Sequence, residues 1–317
     1  MQTLLKNTSA YQLLLAQQKS ARIGHAYLLT LDDARNLLTA GKVFAKLLFG
    51  CADGSRVSNL IDRQTFADCL FFPQTDKKFS VDDAVRLGEE CLLQPVECDK
   101  KVFVISNFAE ANVPSQNKLL KLLEQPPEGV IFLLCATSSH PILPTVLSRV
   151  EKLEIAPFSV QDVQAFLTRT YGEKYNSQEI ELCASACGGK IEMAQSLLED
   201  GGHKSLLFDA FALASAPANR LPLLSRKLGE IKQKKEFLSL LRIVYRDALL
   251  YKTGQKEYVL LRLEEDSLKK LASVRTTAAL LYAQERLTVA EQELTFNAVF
   301  AQCIETFAAS VLQKNNG

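Results

Sequence analysis

The chain has 317 residues, 47% of them hydrophobic and 23% charged, with a formal net charge of +1. That length exceeds one ordinary core and predicts two or three domains, and the near-neutral balance leaves no global field to draw the chain onto DNA or a membrane, so any nucleic-acid contact has to be local. No apolar run approaches a membrane span, and Met1-Gln2-Thr3-Leu4-Leu5-Lys6 lacks a signal-peptide layout, so a cytoplasmic protein with no membrane partner is expected.

Taken in order, residues 3 to 20 read as a helix, followed by a turn and the short apolar strand His25-Ala26-Tyr27-Leu28-Leu29-Thr30. A helix is predicted from about Asp33 to Phe49, with Phe44, Leu47 and Leu48 inward. Ala67 to Pro73 reads as a second strand, and Ser80 can cap a helix running to about Gln94. Lys101-Val102-Phe103-Val104-Ile105 is a continuous apolar run typical of a parallel sheet covered on both faces. Asn112 can cap the next helix, which Pro114 opens and Pro126 closes, with Leu119, Leu120 and Leu123 on one face beyond Gln116. Strand Val130 to Ala136, a short helix from Pro141 to Leu147, and the alternating strand Glu151 to Ile155 follow. From Pro157 the pattern turns helical: about 160 to 171, opened by Ser159 with Asp162 three residues on, then 177 to 187 and 190 to 199. Gly201-Gly202-His203 is the best linker signal. The remainder reads as about five bundled helices, marked by Leu238, Leu241 and Tyr245, by Leu260, Leu263 and Leu268, and by Phe296, Val299, Phe300 and Ile304.

Cysteines 51, 69, 91, 98, 135, 183, 187 and 303 form no Cys-x-x-Cys pair, and His25, His140 and His203 lie in separate segments. No zinc site, other metal cluster, Ser/His/Asp triad or paired-carboxylate site is expected, and Cys183 and Cys187 read as small core residues. Lys232-Gln233-Lys234-Lys235 is short and lacks interleaved aromatics, which suits a solvated helix face better than a DNA site.

Residue identities add to the pattern. Asn117-Lys118-Leu119-Leu120-Lys121-Leu122-Leu123-Glu124-Gln125-Pro126-Pro127, the strand ending Cys135-Ala136-Thr137, and Ser148-Arg149-Val150 resemble the core of the bacterial clamp-loader AAA+ family. That family carries a leucine-rich helix closed by Glu-Glu-Pro-Pro and a Ser-Arg-Cys motif after the next strand, so each motif departs here by one residue. The resemblance implies an α/β fold: a RecA-like AAA+ parallel-sheet domain over 1–157, a three-helix lid over 158–202 and an all-α collar over 203–317 that joins subunits. It also implies as partners ATPase subunits of the tau/gamma type and a delta subunit, with a sliding clamp and primed DNA reached through the complex.

Laid on this sequence, the family's phosphate loop Gly-x-x-x-x-Gly-Lys-Ser/Thr puts its first glycine at Leu31, its middle glycines at Ala34 and Asn36, its lysine at Leu37 and its hydroxyl at Leu38. Asp32 and Asp33 add negative charge where phosphate would sit. At the third strand's end, where magnesium and water need Asp-Glu, stand Asn107 and Phe108. Thr137 takes a polar position facing the family's phosphate. Ile191 or Glu192, after Cys187-Gly188-Gly189-Lys190, takes the place of a sensor arginine. No nucleotide cofactor is therefore expected on this chain.

Arg149, with Ser148 of the same motif, is the one candidate catalytic residue. The resemblance implies an arginine finger that reaches the γ-phosphate in a neighbouring subunit, a task suited to a planar, permanently charged fork. The residues alone leave open an arginine paired with a local acid such as Glu151, or simply solvated. The leading expectation is a non-catalytic loader subunit; the alternatives are a divergent AAA+ ATPase with its own nucleotide site, and a DNA-binding protein in its own right.

Overall fold

The structure, a computed structural model, describes residues 1–74, 78–199, 202–296 and 298–316. Two compact units meet in sequence at Phe158 and Ser159.

The first unit opens with α1 (Gln2–Lys6) and α2 (Ser9–Lys19) where one helix is predicted. Thr8 makes the break: its hydroxyl donates to the Leu5 carbonyl at 2.6 Å and accepts from the Tyr11 amide, capping the second helix. Then come β1 (Ala26–Thr30), α3 (Ala34–Phe49), α4 (Arg56–Asp62), β2 (Cys69–Phe72), α5 (Val81–Cys91), β3 (Lys101–Ile105), α6 (Val113–Glu124), β4 (Val130–Ala136), α7 (Pro144–Leu147) and β5 (Glu151–Glu154). Helix α4, capped by Ser55, is absent from the sequence reading. Ser80 and Asp83 form a reciprocal capping box on α5, and Asn112 caps α6 with Pro114 in its first turn, as predicted.

All five strands among the described residues are parallel, in the order β2-β3-β4-β1-β5, the parallel α/β sheet expected of the first unit. The apolar runs hide a period of two. Tyr27, Leu29, Val102, Val104, Leu133 and Cys135 face one core with α3, while Leu28, Phe103, Ile105, Phe132 and Leu134 face another with α5 and α6. On the second face Phe72, Phe103 and Phe132 line up across three strands, with ring centroids 6.4 and 5.8 Å apart. Gly41 lets α3 approach the first face, since a Cβ there would meet Cys135 Sγ at 3.0 Å and Val104 Cγ1 at 3.1 Å. Edge strand β5 turns only Leu153 fully inward.

The second unit contains α8 (Val160–Tyr171), α9 (Ser177–Ala186), α10 (Ile191–Leu198), α11 (Gly202–Ala214), α12 (Leu221–Gly229), α13 (Lys234–Lys252), α14 (Glu265–Val274), α15 (Thr277–Thr295) and α16 (Phe300–Asn316). Helix α13 packs against α11, α14 and α15, and α16 against α12 and α15. Helices α8 to α10 pack on one another, and α9 and α10 also touch α13 and α11. Gly202 and His203, predicted as linker, are instead the first residues of α11; His203 is buried, its Nδ1 3.0 Å from the Leu197 carbonyl oxygen, and Gly201 lies outside the described residues. Among the described residues from Gly202 onward there are six α-helices where about five are expected, with Pro222 starting α12 as a separate short element. Phe296 and Val299 are exposed between α15 and α16, so of their apolar quartet only Phe300 and Ile304 are core residues. Lys234 lies over the Phe300 ring at 5.6 Å, and Lys232 is exposed.

Candidate functional site: the Arg149 cleft

The turn between β1 and α3 is too short to wrap a phosphate. The Asp33 amide donates to the Leu31 carbonyl at 2.7 Å, and Leu31, 4% exposed, donates its own amide to Ala136. Asp33 then caps α3: its Oδ1 accepts from the Asn36 amide at 2.9 Å, and both its oxygens accept from the Asn36 side-chain amide at 3.0 and 2.9 Å. The helix N-terminus, the natural seat of an anion, thus holds a carboxylate of the chain itself. Ala34 opens α3. Leu37 is buried in the sheet core, and Leu38 packs against the same cluster.

At the end of β3, Asn107 takes a left-handed conformation (φ 51°, ψ 36°) and leads into a short 3-10 turn. Phe108 is fully buried against Phe79, ring centroids 6.1 Å apart. Thr137 follows β4, half-buried. In the second unit Gly188 and Gly189 both have positive φ, Ile191 is buried in the core and Glu192 is half-buried. Among the described residues no group of His, Cys, Asp or Glu could hold a metal ion. Burial pushes the thiols of Cys91, Cys135 and Cys183 up to about 12, which suits packing rather than ligation.

Arg149 stands elsewhere on the sheet. It precedes β5, whose first residue Glu151 pairs with Tyr27 near the start of β1, whereas Leu31 and Asp33 follow the end of β1. A five-residue strand at about 3.3 Å per residue separates the two by about 17 Å. Arg149 therefore lies at the opposite end of the strands from the β1–α3 turn, onto which the family resemblance lays the phosphate loop.

The Arg149 side chain is held on both arms. Nη1 donates to the Thr145 carbonyl at 2.7 Å and to the Ser148 hydroxyl at 2.9 Å, and Nη2 pairs with Glu124 Oε1 at 2.7 Å. The local acid is Glu124, the last residue of α6, and not Glu151, whose Oε1 accepts instead from the Gln17 amide. Glu124, Ser148 and Arg149 line an open cleft of about 640 Å³ with His25, Leu123, Val150 and Glu151. His25 Nε2 donates to the Leu123 carbonyl at 3.1 Å and pins the last turn of α6. Gln116 ties the other end of α6 to the segment before α7, donating to the Ala111 and Pro141 carbonyls and accepting from the Leu143 amide. The two motifs singled out in the sequence, Glu124-Gln125-Pro126-Pro127 and Ser148-Arg149, are thus brought together. Sequence reading missed the pairing of Glu124 with Arg149 because 25 positions separate them and only the β4 crossover closes the gap.

Comparison with known proteins finds similarity to subunits of DNA polymerase III, and the family match falls mainly on the first unit. Residues 6–159 match the family model described as "DNA polymerase III, delta subunit". Among curated proteins the chain is similar to DNA polymerase III subunit tau of Bacillus subtilis, 25% identical over 311 residues, covering 87% of this chain and 54% of that protein. It is also similar to subunit tau of Escherichia coli, 27% identical over 189 residues, covering 56% of this chain and 29% of that protein. The chain thus spans about half, or less, of these relatives' length. Among solved structures it is similar to a gamma subunit-related protein of DNA polymerase III from Thermotoga maritima, at 14% identity and a TM-score of 0.41, covering 95% of this chain and 99% of that one.

Proposed function

We propose that this chain, whose residues 6–159 match a DNA polymerase III subunit family model, is a member of the clamp-loader AAA+ family and serves as a loader subunit of the delta prime type, which hydrolyses no ATP itself and donates Arg149 to a neighbour's ATP site. The observation that carries this reading is the position of Arg149. It lines an open cleft about 17 Å along the sheet from its own chain's phosphate-loop turn, so a phosphoryl group reaching it belongs to another subunit. Three features speak for a non-catalytic role: Leu37 is buried where a phosphate-binding lysine would stand, Asp33 fills the N-terminus of α3, and Asn107 and Phe108 offer no carboxylate.

In this reading the partners are tau/gamma-type ATPase subunits and a delta subunit, with the clamp and primed DNA reached through the assembly. Helices α8 to α10 act as the lid and α11 to α16 as the collar.

The test is ATP hydrolysis by the reconstituted loader carrying wild-type chain or Arg149→Ala, alongside ATP binding by the chain alone. An arginine finger is worth about 10³ to 10⁵ in rate in other phosphoryl-transfer systems. A loader with several ATP sites would lose the turnover of the site that Arg149 completes, while still assembling. ATP binding by the isolated chain would favour the alternative, a divergent ATPase, and full activity of the Arg149→Ala complex would refute the finger.

A further inference from the structure

The Arg149 guanidinium faces the cleft with both arms engaged, and the two sets of contacts differ in kind. Thr145 and Ser148 offer neutral oxygens from the residue's own turn, which orient the fork without opposing an anion. Glu124 places a full negative charge 2.7 Å from Nη2, on the arm left over for a phosphoryl oxygen. Glu124 also ends α6, so the negative end of that helix adds to the field around the cation. The pair is partly exposed, 33% for Arg149 and 49% for Glu124, which leaves it screened and exchangeable.

Resting on the finger reading, we propose that Glu124 is a cis competitor for Arg149. The guanidinium trades the Glu124 carboxylate for the neighbour's γ-phosphate, and Glu124 sets the ATP concentration at which that neighbouring site becomes competent. Thr145 and Ser148 keep the fork aimed during the exchange. Glu124 is a positioning residue: it touches the arginine and no substrate. Once the phosphate has taken Nη2, the carboxylate is left beside a polyanion, and that repulsion weakens nucleotide binding in the neighbour.

Glu124→Gln keeps the size and the Oε1 acceptor for Nη2 and removes the charge. The experiment titrates ATP in hydrolysis by the reconstituted loader with wild-type chain, Glu124→Gln, Arg149→Ala and the double variant, after size-exclusion chromatography shows each complex assembled. The expected result is a fall of about three- to tenfold in half-saturating ATP for Glu124→Gln, the size of one unit charge acting across several ångströms near a protein surface. The maximal rate stays within about twofold, and the shift vanishes on the Arg149→Ala background, the sign of coupling between the two residues. Half-saturation that is unchanged or raised, or that shifts equally on the Arg149→Ala background, overturns the proposal. If Arg149→Ala slows turnover while Glu124→Gln leaves the ATP dependence alone, only the competitor falls; if Arg149→Ala is fully active, the finger falls and takes the competitor with it.

Discussion

Replacing Asp33 with alanine tests whether the chain has built its own anion into the turn where a nucleotide's phosphates would bind. Asp33 is 2% exposed and accepts from the Asn36 amide and twice from the Asn36 side chain. Loss of an N-cap costs about 0.5–2 kcal/mol, and leaving the Asn36 side-chain amide without these acceptors adds about 1–3 kcal/mol. Because both terms draw on one carboxylate, the expected loss is about 2–4 kcal/mol. Hydrogen exchange read by mass spectrometry over residues 34–49 suits the measurement, since a two-unit chain need not unfold in one step. Protection of α3 should fall about 30- to 1000-fold, whereas Asp33→Asn, which keeps one capping oxygen but loses the charge at the helix N-terminus and one of the two acceptors for the Asn36 side chain, should lose less, about 1–2 kcal/mol. Neither variant should gain ATP binding by calorimetry, because Leu37 remains buried and supplies no cation. Unchanged protection of α3 in Asp33→Ala would refute the capping argument, and newly acquired ATP binding would show that the carboxylate alone had excluded phosphate.

Two predictions concern the second unit. Asp247 is fully buried, accepts from the Leu260 and Leu261 amides at 2.8 Å each and pairs with Arg246 at 2.8 Å; burial nevertheless raises its pKa above the usual carboxylate value. A raised folded pKa contributes stability that is fully present below the unfolded value of about 3.9 and is lost as pH rises through the folded value. The stability advantage of wild type over Asp247→Asn, from urea midpoints, should therefore shrink as pH rises across that window; an advantage that grows instead would mean that the amides and Arg246 outweigh burial. Arg275, 4% exposed, donates to the Ala214 carbonyl at 3.1 Å and the Ala216 carbonyl at 2.9 Å. Arg275→Met should cost about 2–4 kcal/mol by orphaning both carbonyls, and Arg275→Lys should recover only part of it because one ammonium does not reproduce the fork; a melting temperature unchanged in Arg275→Met would refute this.

Much of the first unit was legible in the sequence, for reasons that particular residues make plain. Ser80 with Asp83, Asn112 with Pro114, and Pro126 mark helix ends by chemistry that acts within a few residues, so local reading placed α5 and α6 closely. The break at Thr8 was lost because an apolar stripe running through residues 3 to 20 outweighs one capping hydroxyl. Gly202 and His203 misled in the opposite direction: they read as linker, yet burial of His203 goes with their place as the first residues of α11. Phe296 and Val299 fit the apolar spacing of a helix face but fall in the connection before α16, a distinction periodicity does not carry.

The candidate site divides along the same line. The sequence alone shows that Leu37, Asn107 and Phe108 carry no charge, because what a side chain can donate or neutralise is a property of the residue itself, while their placement at a nucleotide site is what the family resemblance implies. It also singled out Arg149 as the cation of interest. Which carboxylate Arg149 meets, and at which end of the strands it lies, only the tertiary structure decided. The crossover from α6 through β4 brings Glu124 beside Arg149 while Glu151 turns to Gln17, and the β1–β5 register sets the arginine at the far end of β1 from the Asp33 cap. Such pairings depend on how distant segments pack, and no spacing along the chain encodes them.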